Sequence, residues 1–235
     1  MKKENGFTLV ETIIALFIAG FMMTAIYIAI ITAQNSTSKI ERRVVSQQDA
    51  RGALDLMVME IRMASYNPTL NNNIWNDTSC SGSGSGYQPY RGIQAATATS
   101  ITIEMDTNGN GVINNDTINN PNEIIKYNYD SSANNQYITR STNCTGGDQP
   151  FLGASSANSD TKTVRVVNNT TGLPVFRYFD GNNTEITSPV TSRIPDIRKI
   201  EITLVVDSYI ADPGGNRQQL IYSTSVIPRN HILLR

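Results

Sequence analysis

The sequence predicts an α+β protein in which one long N-terminal helix packs on an antiparallel β-sheet head. Three observations carry this expectation. No proline precedes Pro68, and a helix-compatible pattern runs unbroken from about Phe7 to Met63. After Ala64 the texture breaks into a stretch rich in Gly, Ser and Asn. From Ser100 onward, short segments alternate apolar and polar residues, as in Ile200-Glu201-Ile202-Thr203-Leu204, the pattern of strands with one buried face.

Four regions follow. Residues 1–6 are a polar leader containing Lys2, Lys3 and Glu4. Residues 7–33 are an apolar helix in which Glu11 and Tyr27 are the only ionisable side chains, and about 20 such residues span a bilayer core. A secretory signal peptide is cut after its apolar segment. Here no Ala-x-Ala site follows the run, and a cut between Gly6 and Phe7 would keep the helix on the mature protein as a membrane anchor or filament core. Residues 34–63 continue the helix with Ile40, Val44, Leu54, Val58 and Ile61 as an apolar stripe, and with Lys39, Arg42, Arg43, Asp49, Arg51 and Glu60 on the other faces. Residues 64–235 form a single head.

Within the head, Ser65 to Gly92 reads as a long exposed loop. Strands are expected over Ser100–Met105, Glu123–Tyr129, Gln136–Arg140, Lys162–Val167, Val175–Phe179, Lys199–Val206 and Leu220–Val226, with their buried face on the helical stripe.

Charge and motifs narrow the function classes. Nineteen Lys+Arg stand against 20 Asp+Glu, so no broad basic surface supports nucleic-acid binding. His231 is the one histidine, stands without a nucleophile motif and reads as a solvated tail residue. Gly82 to Gly86 lacks the Lys-Ser/Thr of a phosphate loop. No enzyme is expected. Trp75, Tyr87 and Tyr90 either meet a partner or pack their loop on the head.

Glu11 stands out because a carboxylate in a membrane helix is costly and persists with a partner or a function. An amino terminus created at Phe7 would lie roughly one helical turn away. A position in the headgroup region is the alternative. Cys80 and Cys144 are expected to pair in an oxidising compartment, where closing that loop contributes roughly 4 kcal/mol, or else to remain two thiols. Neither belongs to a Cys-x-x-Cys pair, which argues against a metal site. Asp106-Thr107-Asn108-Gly109-Asn110-Gly111 has the opening of a calcium loop, with Asp106, Asn108 and Asn110 at alternate positions. Thr117 occupies the place of the closing carboxylate, so Asp116 beside it would have to help. The other reading is a Gly/Asn hairpin turn.

Gly6-Phe7-Thr8-Leu9-Val10-Glu11, behind a basic leader and before an apolar helix, resembles the type IV prepilin signature. The resemblance implies the pilin fold, cleavage between Gly6 and Phe7 by a membrane-embedded prepilin peptidase, and methylation of the Phe7 amino terminus. It further implies pairing of Glu11 with a neighbouring subunit's amino terminus. It places the leader in the cytoplasm, which Lys2 and Lys3 before the helix and Lys39, Arg42 and Arg43 after it do not decide.

The Asp106 turn, Glu123-Ile124-Ile125-Lys126-Tyr127, Tyr137-Ile138-Thr139-Arg140 and the ending Tyr222 to Asn230 are similar to the PilW-like minor pilins and J-type minor pseudopilins. Many major pilins carry a proline within the apolar half, and its absence here also points to a minor subunit. The implied function is structural, in assembly or initiation near a pilus tip. A type II secretion pseudopilin and a tip adhesin binding through Ser65 to Gly92 are the alternatives. The implied partners are other pilin or pseudopilin subunits, the peptidase and an inner-membrane assembly platform. The implied location is the inner membrane before assembly, then the pilus or a periplasmic pseudopilus. Calcium is the one candidate cofactor.

Overall fold

The predicted helix forms as α1, Leu9–Met63, in a computed structural model that describes residues 6, 8–71, 74–75, 92–132, 136–153, 164–208, 217 and 219–231. By its contacts the chain divides into two units, Met1–Val44 and Val45–Arg235. In the first unit the apolar residues of α1 are exposed, from Leu9 through Ile31, and α1 is long and apolar enough there to cross a membrane.

In the second unit α1 buries Ser46, Ala50, Ala53, Leu54, Met57, Glu60 and Ile61. The spacing of three and four is the expected one, but the membership differs from the expected stripe. Ile40 and Val44 are exposed, whereas Ala50, Ala53 and Met57 carry the contact. Small Ser and Ala side chains let a helix lie close against a sheet, so the buried stripe is not the most hydrophobic one. Leu54, Met57 and Ile61 each contribute roughly 1.5–3 kcal/mol by burial.

Two antiparallel sheets make the rest of this unit. The first runs in chain order as β1 (Ile93–Ala96), β2 (Ser100–Glu104), β3 (Ile124–Asp130), β4 (Tyr137–Thr142) and β5 (Thr145–Leu152). In the second, β8 (Lys199–Ser208) is central. It pairs with β9 (Gln219–Val226) and also with β6 (Val164–Val166) and β7 (Phe176–Phe179). Helix α2 (Asn168–Thr171) and a 3₁₀ helix (Val190–Asp196) fill connections.

One apolar core joins the α1 residues to Ile101 and Ile103 of β2, Ile125 and Tyr127 of β3, and Ile200, Ile202 and Leu204 of β8. The expected α+β arrangement, a long helix followed by antiparallel sheets, is therefore present. Strands β1 and β5 were not expected. β1 is four residues long, and β5 contains Gly146, Gly147 and Pro150, which intrinsic preference keeps out of strands. β5 forms at a sheet edge, where proline is tolerated.

The end of α1 is fastened from three sides. Ser65 takes a φ of 67°, and its amide donates to the Glu104 carbonyl at 2.9 Å. Gly92 approaches so closely that a Cβ there would lie 2.2 Å from the Ser65 nitrogen. His231 is 4% exposed, which corrects the expectation of a solvated tail. Its Nε2 lies 2.9 Å from the Ile194 carbonyl, which can only accept, so Nε2 carries the proton. Nδ1 then accepts from the Ser65 hydroxyl at 3.2 Å. The Ser65–His231 pair is a buried fastening of the chain's end to that of the helix.

Candidate functional site

Thr8 and Glu11 begin α1 with reciprocal hydrogen bonds. The Thr8 amide and hydroxyl each donate to Glu11 Oε2 at 2.9 Å, and the Glu11 amide donates to Thr8 Oγ1 at 3.3 Å. This is a capping box, Thr-x-x-Glu, which satisfies amides that the first helical turn leaves open. The Thr-x-x-Glu spacing of the box is visible in the sequence itself, at Thr8 and Glu11. Gly6 is exposed, and a Cβ there would meet nothing within 4 Å among the described residues. Phe7 lies outside the described residues.

Cys144 and Asn143 form the β4–β5 turn with φ of 56° and 50°, the two-residue turn with both φ positive that suits the twist of a hairpin. Asn143 is fully buried. Its Oδ1 accepts the amides of Glu123 and Ile124 at 3.1 and 3.2 Å. Its Nδ2 donates to the carbonyls of Asp116 and Asn120 at 3.0 and 2.5 Å. The turn thereby holds the connection Met105–Glu123 in place. Beside it, Ile74, Trp75, Ile113 and Ile124 make a second apolar cluster against which Cys144 packs. Trp75 is buried, so it anchors rather than displays its segment. Tyr87, Tyr90 and Cys80 lie outside the described residues, as does most of Ser65 to Gly92. Cys144 carries no free thiol.

The connection between β2 and β3 is longer than a hairpin turn and is organised by carboxylates. Asp106 is fully buried. Its Oδ1 accepts the Gly109 amide at 2.7 Å and its Oδ2 the Gly111 amide at 2.9 Å. Gly111 has a φ of 72°, the left-handed region that glycine enters without strain. Asn108 Oδ1 accepts the Asn110 amide at 2.9 Å, and Asn110 Oδ1 accepts the Val112 amide at 2.8 Å. Both Asn side chains also donate to Asn120 Oδ1, at 3.0 and 2.5 Å.

The residue that the sequence reading missed is Glu123. It is fully buried, and its Oε1 accepts the amides of Thr107 and Asn108 at 3.1 and 3.4 Å. Burial pushes its carboxyl above the ordinary value, the amide of Asn108 opposes this, and the charge of Asp106 adds to it. No motif count from Asp106 reaches Glu123, because it stands at the far end of the connection beside β3. Asp116 turns instead to its own segment. Its Oδ1 accepts the amides of Ile118 and Asn119 at 2.8 and 3.1 Å, and its Oδ2 accepts from the Asn119 side chain at 2.6 Å. The Asn119 side chain, with the Asn119 and Ile118 amides, holds its carboxyl below the ordinary value.

Residues 1–27 match the model of the prokaryotic N-terminal methylation motif. That motif supports a type IV prepilin-like protein with a membrane anchor, and it covers the leader and the exposed apolar part of α1 as far as Tyr27. No curated protein and no solved structure matches the chain.

Proposed function

We propose that the protein is a minor type IV pilin, cleaved between Gly6 and Phe7, methylated on Phe7, held by α1 in the inner membrane and then assembled near the tip of a pilus. Its work is packing rather than turnover. The observation that carries this reading is the junction of the methylation motif with a helix whose apolar residues, Leu9 to Ile31, are all exposed. A surface so apolar is stable only in lipid or against other helices, and a filament core of pilin helices supplies the second. The partners on this reading are other pilin subunits, the prepilin peptidase and the assembly platform.

Gly6 provides the test. A Cβ at position 6 would meet nothing within 4 Å among the described residues, so a requirement for glycine is assigned to the peptidase, whose active site needs close backbone approach. Gly6→Leu should accumulate as a full-length, membrane-inserted precursor, whereas the wild type yields a chain beginning with N-methylated Phe7 by mass spectrometry. Normal cleavage of Gly6→Leu would overturn the reading. Recovery of the wild-type chain in sheared pili, rather than only in the cell envelope, separates a pilin from a pseudopilin.

A further inference from the structure

Asp106 and Glu123 are two buried carboxylates of which hydrogen bonding within the loop satisfies only the first: both Asp106 oxygens accept amides, whereas one Glu123 oxygen accepts none among the described residues. Both are fully buried at the two ends of the Met105–Glu123 connection, and Glu123 Oε1 is bound to the amides that follow Asp106. The second oxygen, Oε2, is buried and has no hydrogen-bond partner among the described residues. No Lys or Arg among the described residues forms an ion pair with either carboxylate. Buried carboxylates are ordinarily paired with a cation or bound to a metal, because an uncompensated one costs several kcal/mol.

We propose that the Met105–Glu123 connection binds one calcium ion, with Asp106 and Glu123 as its charged ligands and the side-chain oxygens of Asn108 and Asn110 as neutral ones. The donors are carboxylate and amide oxygens, without imidazole or thiolate, which selects a hard cation over zinc or copper. An irregular loop with donors at alternate positions suits the variable coordination of calcium better than the strict octahedron of magnesium. The Asn108 and Asn110 oxygens each accept one backbone amide, and a carbonyl oxygen has a second lone pair to give. Asp116 is outside this set, since it is only partly buried and its oxygens serve the Asp116–Asn120 turn, whereas Asp106 is fully buried and each of its oxygens, which accepts one amide, keeps a further lone pair. Two charged ligands place the affinity with extracellular calcium modules, a dissociation constant on the order of 10⁻⁴–10⁻³ M. The proposal does not depend on the pilin reading.

The mature full-length chain in detergent, stripped with EGTA, is titrated with calcium chloride by calorimetry and melted with EGTA, calcium or magnesium. Wild type is expected to bind one calcium in that range and to melt several degrees higher at about ten times that concentration. Glu123→Gln should bind at least roughly tenfold more weakly, yet melt no lower than wild type in EGTA because a buried charge has been removed. Asp116→Asn should bind as wild type does. If Glu123→Gln fails to fold by circular dichroism, Asp106→Asn is read in its place with the same expected loss. No heat and no shift in the wild type, an equal shift with magnesium, or undiminished binding by Glu123→Gln would each overturn the proposal.

Discussion

At Glu11 a proposed role competes with an observed one, because the carboxylate that on the pilin reading would meet a neighbouring subunit's amino terminus already closes the capping box with Thr8. The proposed cleavage would not remove the box, since Thr8 would keep its peptide amide with Phe7 as the terminus. The two roles differ in what they need. Capping needs an acceptor at the third helical position, which glutamine also supplies, and is worth about 1 kcal/mol. Pairing with an ammonium needs the negative charge, and leaving that ammonium buried alone costs several kcal/mol. On the pilin reading, Glu11→Ala and Glu11→Gln should both be cleaved and inserted normally, and both should be incorporated at least roughly tenfold less well than wild type. The measurement is the ratio of this subunit in sheared filaments to that in membranes. If Glu11→Gln is incorporated like wild type while Glu11→Ala is not, the carboxylate acts as a cap.

Among the elements, α1 is held to the first sheet by Glu60, which the helical pattern alone places on a polar face. It is 6% exposed. Arg140 of β4 binds it through Nε to Oε2 at 3.2 Å and Nη2 to Oε1 at 2.7 Å, and the Tyr127 hydroxyl of β3 donates to Oε2. Burial and the Glu60 charge together push the Tyr127 phenol far above its ordinary value, so it remains a donor throughout the physiological range. Glu60→Ala would strand a guanidinium and a hydroxyl, and should lower stability by roughly 3–5 kcal/mol, measured by thermal or urea unfolding. Glu60→Gln, which keeps acceptors for both partners, should cost less. Sequence periodicity could show α1 and most strands because those signals are local: a missing proline, a stripe, an alternation. It could not show that Glu60 is buried, because its partners lie far along the chain in other elements. Nor could it show β5, whose Gly-Gly and Pro oppose strand formation until pairing with β4 imposes it.

Over the whole head, half of the Asp106 site was legible and half was not. Asp-x-Asn-x-Asn-Gly is a local pattern, whereas Glu123 joins it only through the return of the chain into β3 and the grip of Asn143 from the β4–β5 turn. The same turn carries Cys144, and long-range closure is again the issue. Cys144 packs beside Ile74 and Trp75, and five residues of extended chain, about 18 Å, are enough for Cys80 to reach it from Trp75. On this basis Cys80 and Cys144 are expected to be joined in the exported protein, tying the segment after α1 to the turn that supports the Asp106 connection. Peptide mapping without reductant should give one linked pair containing both cysteines. Reduction should destabilise the chain by roughly 4 kcal/mol on the chain-entropy account, and therefore lower its melting midpoint by several degrees or more. The double variant Cys80→Ser/Cys144→Ser should melt at the reduced protein's temperature, with or without reductant. Two thiols open to alkylation in protein taken from an oxidising compartment, or a melting midpoint indifferent to reductant, would show that the second apolar cluster alone holds the segment.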